Sequence, residues 1–350
     1  MTLHIFNPEH DLALAANLAQ FTAPHAGRQL RCDLGYLPAL WAERGDGVLV
    51  DHAEYARRQL RRLAVRLGDS GRGDGVELVE RSQLGTLSVS RIEPWGWDLA
   101  LCHQLKRWGV EASLLPTEEQ LSVVRELSHR RYAMRLAEAL RGSGSLVGDA
   151  RELRSEEEVA AYVGEHPEGA VLKAPWSSSG RGVRFVSGPL SVSVGGWLRN
   201  VLARQGSVMG EPLYRRVKDF GMEFFSDGHG RVRYLGLSLF HTLNGAYTGN
   251  VLATEQAKEQ MMERWVAREQ LCLLRERMAD ALGTLYDGRY EGPLGVDLMV
   301  TDGGIALAEI NLRRTMGHVA LALSPRGDDE ERRIMRIVLE DHYKLKIRKQ

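Results

Sequence analysis

The sequence predicts an α/β protein with α+β character, built from two or three domains. Three observations carry that prediction. Residues 1–115 alternate short apolar runs with helical patterns, the signature of a small α/β domain. Residues 169–186 and 292–317 each read as a β-hairpin, with no helical crossover between their apolar runs. The chain has 350 residues, and single cores rarely extend beyond about 250.

Composition narrows the function classes. Apolar residues make up 43% of the chain and charged residues 26%, which excludes a disordered chain. Lys+Arg and Asp+Glu both number 46, and no basic run stands out, so nucleic acid is not an expected partner. The apolar runs are too short to span a bilayer, so no membrane is expected. The start, MTLHIFNPEH, lacks the basic head and long apolar run of a secretory signal. Cys32, Cys102 and Cys272 lie far apart without metal-ligand spacing, and reduced thiols in the cytoplasm are expected. No repeat or low-complexity segment is present.

Residues 292–317, GPLGVDLMVTDGGIALAEINLRRTMG, carry the most chemistry. Residues 295–301 form an apolar strand pattern, Asp302-Gly303-Gly304 signals a turn, and residues 305–312 resume the extended pattern. Residues two apart on a strand share a face, so Glu309 and Asn311 project together. Folding about Gly303 brings Asp297 opposite Glu309, within about one residue of register. Two carboxylates and an amide oxygen are hard donors that suit Mg²⁺ better than Zn²⁺. A hairpin with a solvated polar face is the plainer alternative.

Residues 169–186, GAVLKAPWSSSGRGVRFV, run an apolar strand into Lys173 and then a Ser/Gly loop. A lysine on a strand fit for burial needs an anionic partner. Backbone amides of Ser177, Ser178, Ser179, Gly180 and Gly182 can approach an anion closely. The lysine precedes the glycines, so this is neither the nucleotide-binding P-loop nor the dinucleotide fingerprint.

In this order, the two stretches resemble the ATP-grasp superfamily over about residues 125–345. The resemblance implies two α+β subdomains sandwiching ATP, preceded by a small α/β domain: residues 1–115 (pre-ATP-grasp), 116–206 (lid) and 207–350 (large subdomain). It implies ATP and Mg²⁺ as cofactors, with Mn²⁺ an alternative, and Asp297, Glu309 and Asn311 as the metal ligands. Lys173 and the Ser177–Gly182 loop would cover the phosphates. One arginine of the Arg130-Arg131 pair, with Arg131 better aligned, would reach them from the start of a helix. Glu211 takes the position of the adenine-binding carboxylate, beside Leu213. Asp219 and Glu223 resemble acids that contact the ribose or flank the site. Arg313, two past Asn311, would stabilise the transferring group.

The implied reaction is ligation: ATP phosphorylates a carboxylate, and an amine or thiol displaces the phosphate. A kinase acting on a small molecule and a non-catalytic nucleotide-binding protein are the alternatives. Expected partners are ATP and small carboxylate and amine substrates, with a homodimer as the candidate assembly. Elsewhere, Asn7, Glu9, His10 and Asp11 follow the first strand, where open α/β sheets place ligands, although Asp11 reads better as a helix cap. Trp95 and Trp97 read as plugs at the end of a core. Residues 254–285 read as one long helix, and residues 328–345 as a C-terminal helix.

Overall fold

The computed structural model describes residues 1–69, 73–141, 146–177, 182–243, 246–327 and 331–349. The chain divides into two units: Met1–Arg125 with Thr248–Ala257 and Arg313–Gln350, and Glu126–Tyr247 with Lys258–Leu312.

The first unit opens with a parallel sheet. Strands β1 (Thr2–Ile5), β2 (Gly47–Leu49), β3 (Glu77–Val79) and β4 (Arg91–Pro94) lie in the order β3-β2-β1-β4. Parallel strands need crossovers. The Ala53–Leu67 helix supplies one and ends at Gly68, whose φ of 67° is a left-handed C-cap. The Leu99–Arg107 helix is capped by Asp98, which accepts from the Leu101 amide at 2.8 Å. Leu3 and Ile5 pack with Ile92, Leu101 and Leu105. Phe6, Val48 and Val50 pack with Leu37 and Trp95 in a second core. Trp95 plugs that core as expected, with its ring edge-on to Phe6 at 4.9 Å.

The second unit contains two sheets. Strands β5 (Leu146–Val147), β6 (Arg151–Leu153), β7 (Ala170–Lys173), β8 (Val183–Val186) and β9 (Val208–Pro212) come first in the chain. Four of them form an antiparallel sheet, β6-β9-β7-β8. The Glu156–Glu165 and Val192–Gln205 helices cover it, each started by a serine whose hydroxyl accepts a backbone amide, Ser155 and Ser191. Val159, Tyr162, Leu172, Leu198 and Val208 fill the space between. Next in the chain come β10 (Arg216–Asp227), β11 (Val232–Ser238), β12 (Phe240–Leu243), β13 (Ala246–Leu252), whose residues from Thr248 on belong to the first unit, β14 (Glu291–Thr301) and β15 (Gly304–Asn311). The larger sheet runs β11-β10-β14-β15-β5. Phe220, Met222 and Phe224 of β10 pair with Leu298, Val296 and Leu294 of β14, and all six are buried.

Two helix expectations fail. Residues 254–285 break into Glu255–Met262 and Arg268–Tyr286. The C-terminal segment is not a helix but an antiparallel pair, β16 (Arg333–Leu339) and β17 (Tyr343–Lys349). The sequence YKLKIRK alternates with period two, and β16 pairs through Met335 with Asn250 of β13. Met335 and Ile347 thereby enter the first unit's core, which a helical period would not allow.

Burial just past β15 also makes a stability prediction. Leu312 is 2% exposed, one residue past Asn311. Leu312→Asn buries an amide in an apolar setting and should cost about 2–4 kcal/mol, read as a lower denaturation midpoint. A cost under about 0.5 kcal/mol, the ordinary surface range, would show that Leu312 is not part of the core.

Candidate functional site

The β14–β15 register decides which side chains meet. Asp297 stands directly opposite Glu309, and Gly295 opposite Asn311. Across the other edge, Asp297 faces Gly221, with Met299 opposite Asp219 and Gly295 opposite Glu223. Cross-strand partners share a face, so Asp219, Glu223, Asp297, Glu309 and Asn311 project from one side of the sheet. Asn311 Nδ2 donates to Asp297 Oδ2 at 3.1 Å, which leaves the amide oxygen as a further donor to a cation. A Cβ at Gly221 would lie 3.4 Å from Asp297 Oδ1, so glycine keeps the space beside that carboxylate open.

These groups fit Mg²⁺ better than an all-protein metal cage. Among the described residues no three His, Cys, Asp or Glu side chains converge as metal ligands. Two carboxylates and one amide leave several positions of an octahedral shell to water and phosphate oxygens, which is the way Mg²⁺ is ordinarily held.

Cations from the smaller sheet meet this face. A β-bulge follows Asp297, because Asp297 pairs with Glu309 while Leu298 pairs with Leu307. Ala308, the extra residue, accepts from Lys173 Nζ at 3.0 Å through its carbonyl oxygen. Lys173 Nζ also lies 2.7 Å from Glu211 Oε2, and both side chains are nearly buried, at 11% and 13% exposure. Lys173 and Glu211 come from neighbouring strands, β7 and β9, with Val171 opposite Glu211 and Lys173 opposite Met209.

Arg130 joins the two sheets. It stands just before the Arg131–Leu140 helix, and its amide donates to the Pro175 carbonyl at 3.3 Å. Its Nη1 donates to the Ala174 carbonyl and, at 2.8 Å, to Ser177 Oγ, while Nη2 donates to Glu309 Oε1 at 2.6 Å. Its Nε is buried with no hydrogen-bond partner. Arg130 and Glu211 line a cleft whose apolar walls are Met134, Val147, Met209 and Leu307, with Asp149, Arg141 and Tyr214 also lining it. Burial raises the Tyr214 hydroxyl above its ordinary value, so the ring presents a neutral polar edge at physiological pH.

Arg131, the better-aligned arginine in the sequence, turns elsewhere. Its Nη2 donates to Glu152 Oε1 at 2.7 Å, and its Nε to His129 Nδ1 at 3.3 Å. Burial pushes the Glu152 carboxyl up, but the Ser207 hydroxyl, Arg131, His129 and Arg154 outweigh it and hold the group below its ordinary value. Arg131 is thus committed to a structural ion pair, and Arg130 faces the cleft.

The loop expectations divide. Ser177 is bonded to Arg130, and Gly182 closes the loop's neck by accepting from the Ala174 amide at 2.8 Å. A Cβ at Gly182 would meet Ser177, so only glycine fits there. Ser178, Ser179 and Gly180 lie outside the described residues. The Leu213 amide donates to Gly169 at 3.0 Å, and its side chain is 36% exposed. Asp219 Oδ2 accepts from Thr242 Oγ1 at 2.7 Å and from Arg216 Nη1 at 3.2 Å. Glu223 is 2% exposed on the carboxylate face. Arg313 belongs to the first unit, where its guanidinium grips Asp11 through two hydrogen bonds of 2.7 and 2.8 Å. Asp11 therefore does not cap its helix. Glu9 takes the cap position of the His10–Ala16 helix without a side-chain hydrogen bond.

Comparison with solved structures places the fold. The biotin carboxylase domain of Hydrogenobacter thermophilus 2-oxoglutarate carboxylase, in complex with MgADP, ADP and bicarbonate, superposes with a TM-score of 0.54 at 14% identity, over 85% of this chain and 75% of that one. Campylobacter jejuni biotin carboxylase in complex with β-γ-ATP gives 0.50 at 13% identity, over 96% and 75%. Staphylococcus aureus N5-carboxyaminoimidazole synthetase, complexed with ADP, gives 0.50 at 10% identity, over 97% and 82%. The chain has the ATP-grasp fold. No protein-family model matches the sequence, and no curated protein matches it. At these identities the likeness is one of ATP-grasp architecture, and the site's chemistry has to come from its own residues.

Sequence reasoning missed the cleft's apolar walls. Val147, Met209 and Leu307 look like ordinary strand residues, and only their convergence from three strands distinguishes them. No helix among the described residues is long and apolar enough to cross a membrane.

Proposed function

We propose that the protein is an ATP- and Mg²⁺-dependent ligase that activates a carboxylate as an acyl phosphate for attack by an amine or thiol. The observation that carries this reading is one constellation within the second unit. Asp297, Glu309 and Asn311 share a strand face, Arg130 and Lys173 reach it, and the apolar cleft beside Glu211 adjoins it. In this reading adenine takes the cleft, whose apolar walls carry the Glu211 and Asp149 carboxylates, and the paired cations take the phosphates. Asp297, Glu309 and Asn311 would hold Mg²⁺, which when bound supplies charge neutralisation for the transferring phosphoryl group. Arg130 and Lys173 supply fixed positive charge at this face.

Two measurements test the reading. ADP with Mg²⁺ should raise the melting temperature by several degrees, since a ligand at about 100 times its Kd adds roughly 2.7 kcal/mol. Phosphate release from ATP should then be screened against pairs of small carboxylic acids and amines. A ligase releases phosphate only with both substrates present, whereas a kinase transfers it to one acceptor without release. No melting shift at millimolar ADP and Mg²⁺ would sink the proposal.

A further inference from the structure

The site's cations are not waiting in solvent for phosphate. Arg130 is already bonded to a metal ligand: its Nη2 sits 2.6 Å from Glu309 Oε1, with the arginine side chain 5% and the glutamate side chain 31% exposed. A guanidinium so placed neutralises Glu309 as a metal ion would, and the two cations compete for one carboxylate oxygen. The same guanidinium holds Ala174 and Ser177, so the competition links the sheet that carries the carboxylates to the segment that follows β7. Arg130 lines the cleft, and its Nε is buried with no hydrogen-bond partner.

We infer that Arg130 is an exchange latch, standing in for the metal at Glu309 and released toward the nucleotide when a divalent cation takes that carboxylate. The inference rests on the ligase reading for the identity of the nucleotide, but not for the competition itself. Its consequence is a positive coupling between metal and nucleotide that is additional to the metal's own attraction for phosphate. Metal binding frees a cation for the phosphates, and phosphate binding draws that cation off the carboxylate. Linkage requires the coupling to be the same in both directions.

The latch therefore predicts that two disabling substitutions each tighten one ligand. In nucleotide-free protein, Arg130→Gln removes the competitor and should bind Mn²⁺ about tenfold more tightly than wild type by electron paramagnetic resonance, a change that corresponds to about 1.4 kcal/mol. Arg131→Gln, which breaks the pair with Glu152 instead, should leave Mn²⁺ affinity unchanged. Conversely, Glu309→Gln frees the guanidinium, so ADP in EDTA should bind several-fold more tightly than to wild type by calorimetry. A folded Arg130→Gln protein with unchanged or weaker Mn²⁺ binding overturns the latch. If that variant does not fold, the Glu309→Gln arm decides, and ADP affinity in EDTA no higher than wild type overturns it. Wild-type protein that binds MgADP while both variants behave as wild type loses the latch and keeps the ligase reading. Wild-type protein that binds no nucleotide under any condition loses the ligase reading, and the Mn²⁺ arm still judges the latch.

Discussion

Glu309→Gln should lower ATP turnover by about two to three orders of magnitude while the protein stays folded, the loss typical of removing one electrostatic contact to a developing charge. The substitution keeps the side chain's volume and turns an anionic oxygen into a neutral amide, so a hard cation loses a ligand while the strand loses no packing. The fold should tolerate it because Glu309 is 31% exposed and sits at a bulge rather than in the core. Arg130 loses its anionic partner but retains Ala174 and Ser177 as acceptors. Asn311→Leu should show the same turnover loss through the same face. Melting curves and a phosphate-release assay are sufficient to check both. Normal turnover by Glu309→Gln would remove Glu309 from the metal site, whatever the melting curve says.

Lys173→Met should weaken ATP binding by about a hundredfold, the upper range for losing one hydrogen bond from a charged donor. It will also cost stability, because Lys173 is the partner of a nearly buried Glu211 and a donor to Ala308. Removing one member of such a pair strands the other charge, at about 2–4 kcal/mol here, since neither group is fully buried. The second substitution separates the two effects. Lys173→Met with Glu211→Gln removes the stranded charge and should recover most of the stability, while nucleotide affinity stays low. If the double variant binds ATP as wild type does, Lys173 is a structural partner of Glu211 and not a phosphate contact.

The pairing of Asp297 with Glu309 was legible because strands have a period of two and the Asp302-Gly303 turn sets the register. The same rule marks residues 343–349 as a strand and not a helix, since Tyr343, Leu345 and Ile347 alternate with Lys344, Lys346 and Arg348. The break between the Glu255–Met262 and Arg268–Tyr286 helices lacks a proline or glycine, so it left no local mark.

Sequence alone determined the groups that local geometry controls: the carboxylate face of β14 and β15, the lysine at the end of β7, and the glycine neck of its loop. Only the tertiary structure decided between Arg130 and Arg131. Successive residues at a helix start point about 100° apart, so one of the two must turn away from any given partner, and neither position carries a signal of its own. Glu152 and His129 claimed Arg131, while Glu309, 179 residues away in the chain, claimed Arg130. Contacts at that separation are set by how two sheets pack, and no local period encodes them.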